Sequence, residues 1–413
     1  MIMASYRALI HASEVWTGLG IRQKDGRRPK EEDLGIIPDG AIVYSLKKIG
    51  KKTIPHRIVW VGPTNELPKK YSKISKKNLG RKQAIVPGLI DCHTHLVFAG
   101  DRSEEFALRC GGATYQEIAE KGGGIQTTVD STRSASIDQL EKLAHARVEE
   151  AASYGIKTLE IKSGYGLNHE SEIRVLQVIQ RLQKKYPEMT FVSTYLGAHS
   201  VPKEKSKESY IDEMLGLTMP LIAKKKLASF CDVFIDEGYY SREEGRKILA
   251  RARELGFNLK VHADELGNTE SASLAAHLAA HSADHLLKIS DDGIRTLAES
   301  ETVGVLLPGT AFYLKAEHAP ARKLIDAGAC IALATDFNPG TCMTLNLPAI
   351  LTIAALYLKM TRAEIFAAIT YNAAKAVGLE DRKGTLEPGR DADFTVLPFA
   401  RFEECYYRFA WSA

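Results

Sequence analysis

After about residue 80 the chain alternates short runs rich in Val, Ile and Phe with long amphipathic runs, and it does so eight times. That pattern belongs to repeated βα units, whose strands line up in one parallel sheet with the helices outside it. Candidate strands fall at 84–90, 156–161, 190–196, 230–235, 258–261, 281–284, 302–307 and 330–334. Eight strands predict an α/β fold, a TIM-like (β/α)8 barrel over residues 84–383. The helical runs carry their own punctuation. Ser241 with Glu244 reads as a capping box ahead of the apolar stripe Ile248, Leu249, Ala252 and Leu255, and Gly256 supplies the stop; Thr361, Glu364 and Gly378 repeat that grammar.

Residues 1–83 contain strand-like pieces at 7–10, 41–46 and 57–61, broken by Gly and Pro, and residues 384–413 add another at 394–397. These are expected to form a small β-sandwich module assembled from both chain ends, with the barrel inserted between them. At 413 residues, 45% hydrophobic and 26% charged, the chain can bury a barrel-sized core plus such a module, and disordered or collagen-like architectures are excluded.

Other partners are narrowed by composition. No apolar run approaches the roughly 18 residues of a membrane span, and charges interrupt the first residues, so no membrane partner and a cytoplasmic location are expected. The six cysteines form no CxxC pair, which reads as reduced thiols rather than disulfides or a zinc finger. Net charge is +4, yet residues 47–82 hold twelve Lys or Arg against Glu66 alone, leaving −7 for the rest. That stretch has only Trp60 and Tyr71 as aromatics, so it reads as a solvated lysine-rich surface, not a nucleic-acid patch.

The first barrel strand runs into Pro87-Gly88-Leu89-Ile90-Asp91-Cys92-His93-Thr94-His95. Alternate side chains of an extended segment share a face, so His93 and His95 can chelate one metal. They sit at the C-terminal rim, where such barrels keep their active sites. The same rim collects His262 and Glu265 after strand five, His285 at strand six and Asp336 at strand eight. Jointly, three histidines and an aspartate from this group leave an ion one open position, the mark of a catalytic site. Metal-assisted hydrolysis follows, with Glu265, His285 and Asp336 as the catalytic groups. His277, His281 and His285 also have helix-face spacing, an alternative that weakens if His281 begins a strand.

Together with the tail Gly384-Thr385-Leu386-Glu387-Pro388-Gly389-Arg390-Asp391-Ala392-Asp393-Phe394, these motifs resemble the amidohydrolase superfamily and, within it, the imidazolonepropionase family. The specific stretches are Val97-Phe98-Ala99-Gly100-Asp101-Arg102, Gly112-Ala113-Thr114-Tyr115, Gly122-Gly123-Gly124-Ile125, Ile161 to Leu167, Gly197 to Pro202, His262-Ala263-Asp264-Glu265-Leu266 and Thr335 to Thr341. The resemblance implies one Zn2+ or Fe2+/Fe3+ per chain on His93, His95, His262 and Asp336. It further implies a small-molecule substrate, 4-imidazolone-5-propanoate, opened to N-formimidoyl-L-glutamate in histidine degradation. Arg102, Tyr165, His199, Glu265, Asn338, Gly340 and Thr341 would bind it, and a homodimer is expected on base rates. A guanidinium suits a propionate tail because its planar fork meets a carboxylate bidentately. Lys162 is expected to be ion-paired rather than a ligand bridging two metals. The rival readings are a cytosine- or guanine-type deaminase, which would share the metal residues but has no carboxylate for Arg102, and a non-catalytic barrel scaffold.

Overall fold

The computed structural model of the chain describes residues 5–112 and 123–411. The stretches at 113–115 and Gly122 lie outside them. Among the described residues six strands form a mixed sheet: β1 (Tyr6–Trp16), β2 (Ile36–Ile49), β3 (Lys52–Pro63), β4 (Ser75–Asn78), β5 (Ile85–Pro87) and β14 (Phe394–Val396), in the order β14-β5-β1-β2-β3 with β4 also on β1. The other eight form one parallel sheet: β6 (Leu89–Asp91), β7 (Ile156–Lys162), β8 (Thr190–Ala198), β9 (Phe230–Ile235), β10 (Asn258–Ala263), β11 (Ser282–His285), β12 (Val303–Leu306) and β13 (Ile331–Leu333), paired in sequence order.

β6 and β13 then meet at their C-terminal ends, where Asp336 N–H donates to His93 O at 3.0 Å and His95 N–H to Phe337 O at 2.9 Å. The barrel is thereby joined at the rim that carries His93, His95 and Asp336. Its strands read as continuous Val, Ile, Leu and Phe runs because both faces are covered; every residue of β9, for instance, is buried.

Two expectations need correction. The segment 84–90, read as a single strand, is two. β5 pairs antiparallel with β14 in the mixed sheet, while β6 starts the barrel, and Gly88 is the corner between them. Gly88 N–H donates to Asp393 O at 3.0 Å, and a Cβ there would lie 2.7 Å from Asp393 Oδ1, so only glycine lets the two sheets share the segment. The helix expected from Thr361 to Gly378 is also two, Arg362–Ala368 and Tyr371–Ala376. Thr361 does form the capping box with Glu364, but at the break Ile369 O accepts from Ile90 N–H at 3.1 Å, tying the helix pair to β6. Ser241 and Glu244 cap Arg242–Glu254 as read.

The small module is one hydrogen-bonded sheet with an apolar cluster on each side: Leu9, Val15, Ile42 and Ile85 on one, Ala8, Val43 and Tyr71 on the other. The alternation of Leu9 with Ala8 and Ile42 with Val43 is the period of two expected of strands. Lysines of the 47–82 stretch line the exposed ends of β2 and β3 and the wholly exposed β4. Trp16, Phe366 and Phe402 pack mutually at 5.1–5.3 Å, clamping β1, a barrel helix and the C-terminal tail together. The six cysteines are unpaired, and only Cys110 is exposed.

Candidate active site

The sequence Leu89–Asp91 is extended and buried, and a parallel bridge from Thr94 to Phe337 continues the pairing past it, with His93 and His95 on either side of that bridge at the rim. Their ring centroids are 5.4 Å apart. His262 lies within β10 and His285 ends β11, with rings 4.7 and 5.6 Å from that of His93. Asp336 follows β13, its Oδ1 3.4 Å from His93 Nε2 and 3.5 Å from His95 Nε2. Ligand atoms of His93, His95 and Asp336 come within 4.8 Å of one another, and so do those of His93, His262 and His285. The structure therefore brings His285 into the same imidazole cluster as the expected ligands. His285 and Asp336 both take left-handed backbone (φ 81° and 52°), a strained geometry concentrated where five side chains must converge.

All five groups are buried, and the ring nitrogens His93 Nε2, His262 Nε2 and His285 Nε2 have no hydrogen-bond partner. Buried polar atoms without partners are costly. A donor set of soft-borderline imidazoles and a carboxylate is the set that binds zinc or iron, so these residues fit a metal ion. Burial, reinforced by the positive charge of Lys162, holds His93 well below the usual histidine range, and burial does the same to His95 and His285. The rings are thus neutral and offer lone pairs.

Glu265 follows His262 on a loop pinned by Asp236, whose carboxylate accepts the Glu265, Leu266 and Gly267 N–H groups at 2.8–3.0 Å. Its Oε2 sits 3.4 Å from His285 Nε2. Burial, then the Asp336 and Asp236 charges, raise its carboxyl well above the ordinary range. Burial pushes Asp336 up to about 6, opposed by the Thr310 hydroxyl, which donates to Asp336 Oδ2 at 2.6 Å.

Above this floor lies a cavity of about 250 Å³ whose wall includes Arg102, Tyr165, His199, Asn338, Gly340 and Thr341. His199 stacks on His95 at 4.9 Å and donates its Nδ1–H to Gly164 O at 3.0 Å, leaving Nε2 as an acceptor; burial drops its pKa to about 3. Tyr165 is placed by the buried Glu172, which accepts from the Gly164, Gly166 and Leu167 N–H groups at 2.8–3.2 Å. The loop leading to Arg102 is anchored by Arg147, which donates to Leu96 O at 2.7 Å and Phe98 O at 2.8 Å.

Two wall residues are engaged differently from a simple ligand contact. Arg102 already forms an ion pair with Glu105, Nε and Nη2 lying 2.9 and 2.7 Å from Oε2. Its Nη1 lies over Gly340, where a Cβ would approach to 2.2 Å, so that glycine is what admits the guanidinium. Asn338 accepts from the Gly340 and Thr341 N–H groups at 2.8 Å and donates to Asp336 O at 2.7 Å, which makes it the staple of its own turn.

Sequence reasoning missed Asp232, Asp284, Lys260, Thr310 and Arg109. Arg109 lines the cavity and donates to Gly340 O at 3.0 Å. Asp284 immediately precedes His285, and Asp232 lies in a run of otherwise apolar residues; an acid inside a buried strand was the available signal. Lys162 is fully buried between Glu160 (3.0 Å) and Asp232 (2.8 Å), a paired lysine as read.

Residues 84–404 match the model of the amidohydrolase family. The chain is 45% identical to an imidazolonepropionase of Bdellovibrio bacteriovorus, over 94% of this chain and 90% of that one. The chain belongs to the amidohydrolase family, among its imidazolonepropionases. An imidazolonepropionase of Symbiobacterium thermophilum is 44% identical over the same shares. Solved structures share the fold at low identity: a triazine hydrolase from Arthrobacter aurescens (TM-score 0.70, 18% identical, 95% of this chain and 86% of that one) and a zinc-bound adenosine deaminase from Xanthomonas campestris (0.66, 16%, 94% and 84%). As in its family, this chain is a metal-dependent hydrolase of C–N bonds.

Proposed function

We propose that the chain hydrolyses 4-imidazolone-5-propanoate to N-formimidoyl-L-glutamate. The observation that carries this reading is a guanidinium, Arg102, on the wall of the cavity whose floor is the imidazole and carboxylate cluster. A ring amide with an anionic tail needs both. The naming of the relatives as imidazolonepropionases agrees with it.

In this reading His93, His95, His262 and Asp336 hold one zinc or iron ion per chain. When bound, the ion supplies a Lewis acid that polarises the ring carbonyl and makes water a stronger acid. Asp336 Oδ1, on the ligand side, accepts the proton of the attacking water, while Thr310 holds Oδ2. Water adds to the ring carbonyl carbon and the bond from that carbon to the ring nitrogen breaks. Glu265, whose carboxyl burial raises well above the ordinary range, delivers the proton that the departing nitrogen needs. His285, its Nε2 3.4 Å from Glu265 Oε2, would orient the carbonyl beside it. Arg102 meets the propionate through Nη1, Tyr165 and His199 flank the ring, and the Asn338–Gly340–Thr341 turn closes the wall.

Residues 84–383 are the catalytic unit in this proposal, with 1–83 and 384–413 as the flanking module. The active form is a cytoplasmic homodimer; no helix of the described residues is long and apolar enough to cross a membrane, and isologous dimers are the commonest closed assembly. The test is turnover of freshly generated 4-imidazolone-5-propanoate, followed as formiminoglutamate, beside cytosine and guanine. Hydrolysis of a neutral base in preference to the propionate would overturn the assignment.

A further inference from the structure

Beneath the floor of the cavity lies a second layer of charge, fully buried, that the proposed chemistry does not use. Asp284 Oδ2 accepts His93 Nδ1–H at 2.6 Å. The same oxygen has Lys260 Nζ at 3.5 Å and Lys162 Nζ at 3.8 Å. Lys162 also donates to Asp232, and Lys260 donates to Ser282 Oγ at 2.6 Å. Two lysines on β7 and β10 thus fix the place of one carboxylate on β11.

The three imidazoles beside Asp336 differ in what orients them. His93 has an aligned carboxylate. His262 Nδ1 is 3.1 Å from Asp232 Oδ2 but not aligned for a hydrogen bond, and His95 Nδ1 has no partner. A neutral imidazole has one N–H, and the nitrogen that carries it cannot bind a metal. A carboxylate only accepts, so at 2.6 Å Asp284 requires the proton on Nδ1. The lone pair is then on Nε2, the buried, unpartnered nitrogen that lies 3.4 Å from Asp336 Oδ1. With the other tautomer an N–H would point into the ligand cluster and two lone pairs would meet at hydrogen-bond distance.

We infer that Asp284 is the positioning residue of the metal centre, locking His93 as its Nδ1–H tautomer, with Lys162 and Lys260 holding the carboxylate in place. The inference rests on the metal-centre reading above. Losing such an outer partner typically costs about ten- to a hundredfold in metal affinity.

The experiment uses full-length wild type, Asp284→Asn and Ser282→Ala. Zn2+ alone is bound to each and withdrawn by graded chelator, and the metal-free forms give melting temperatures and 15N imidazole spectra. Wild-type His93 is expected as the Nδ1–H tautomer. Asp284→Asn, whose amide can turn either face to the ring, should bind Zn2+ about ten- to a hundredfold more weakly. Ser282→Ala removes the nearest partner of Lys260 without touching His93, and should keep wild-type affinity even if it melts earlier. An Nε2–H tautomer in wild type, or equal affinity in Asp284→Asn, would overturn the inference. If Asp284→Asn does not fold, the wild-type tautomer decides. Wild type that binds neither zinc nor iron would instead sink the metal-centre reading itself.

Discussion

The floor and the wall of the cavity are built on different principles. On the floor His93, His95, His262, His285 and Asp336 come from strand ends or the residues just beyond them, and none is more than 3% exposed. The six inner strands are each hydrogen-bonded to two neighbours, and β6 and β13 are joined through the residues just past them, so the positions of these groups are set by the whole barrel. The wall stands on loops. Arg102 precedes the short helix Ser103–Cys110, which has no buried residue, and the wall holds itself together through Arg102 with Glu105, Glu105 with Gly124 N–H, and Arg109 with Gly340 O. Chemistry that tolerates little displacement is carried by the rigid sheet, and substrate reading by segments that can change without disturbing it.

The sharpest way to break this contrast is to remove the metal. Stripping with chelator should abolish turnover while the chain stays folded, since the barrel core is independent of the site; circular dichroism beside the activity assay checks it. Unfolding on metal loss would show that the ion is structural.

The two floor carboxylates come next. Asp336→Asn and Glu265→Gln should each lower kcat by about 10²- to 10⁴-fold, the range for losing a proton carrier. Their metal contents should differ: Glu265→Gln keeps the ion, whereas Asp336→Asn holds it more weakly because an amide is a poorer ligand. A reversed pattern in elemental analysis would mean the carboxylates have exchanged roles.

Arg102→Met probes the wall. A charged contact to the propionate is worth about 1.5–3 kcal/mol, roughly ten- to a hundredfold in kcat/KM. The loss should fall on the propionate substrate and spare an analogue without the carboxylate. Equal losses for both would assign Arg102, with Glu105, to supporting the loop.

The smallest effect is expected for Gly340→Ala. Its Cβ would meet Arg102 Nη1 at 2.2 Å and displace that flexible end. A rise in KM of roughly fivefold, about 1 kcal/mol, with kcat preserved would separate wall from floor. A fall in kcat without a change in KM would show that the two are coupled.

Much of the floor was legible in the sequence because it is local. The period of two in extended chain puts His93 and His95 on one side, and a histidine or aspartate closing an apolar run marks a strand end at the rim; His262, His285 and Asp336 were found that way. Arg102, Tyr165, His199 and the Asn338 turn came only from the family resemblance. Even then, nothing in the order of residues shows that Asn338 is occupied by its own turn, or that Arg102 already has Glu105.

What the sequence alone determined is the set of βα units, the existence of a second sheet from the chain ends, and which residue types reach the rim, since periodicity, caps and strand ends depend on neighbours in the chain. Only the tertiary structure decided that residues 84–90 divide at Gly88 between two sheets, because the reason is contact with Asp393 some three hundred residues away. It also decided that Asp284, Lys162 and Lys260 meet behind His93. Charges buried in separate strands give no periodic signal, and their pairing exists only once closure of the barrel has removed water from between them.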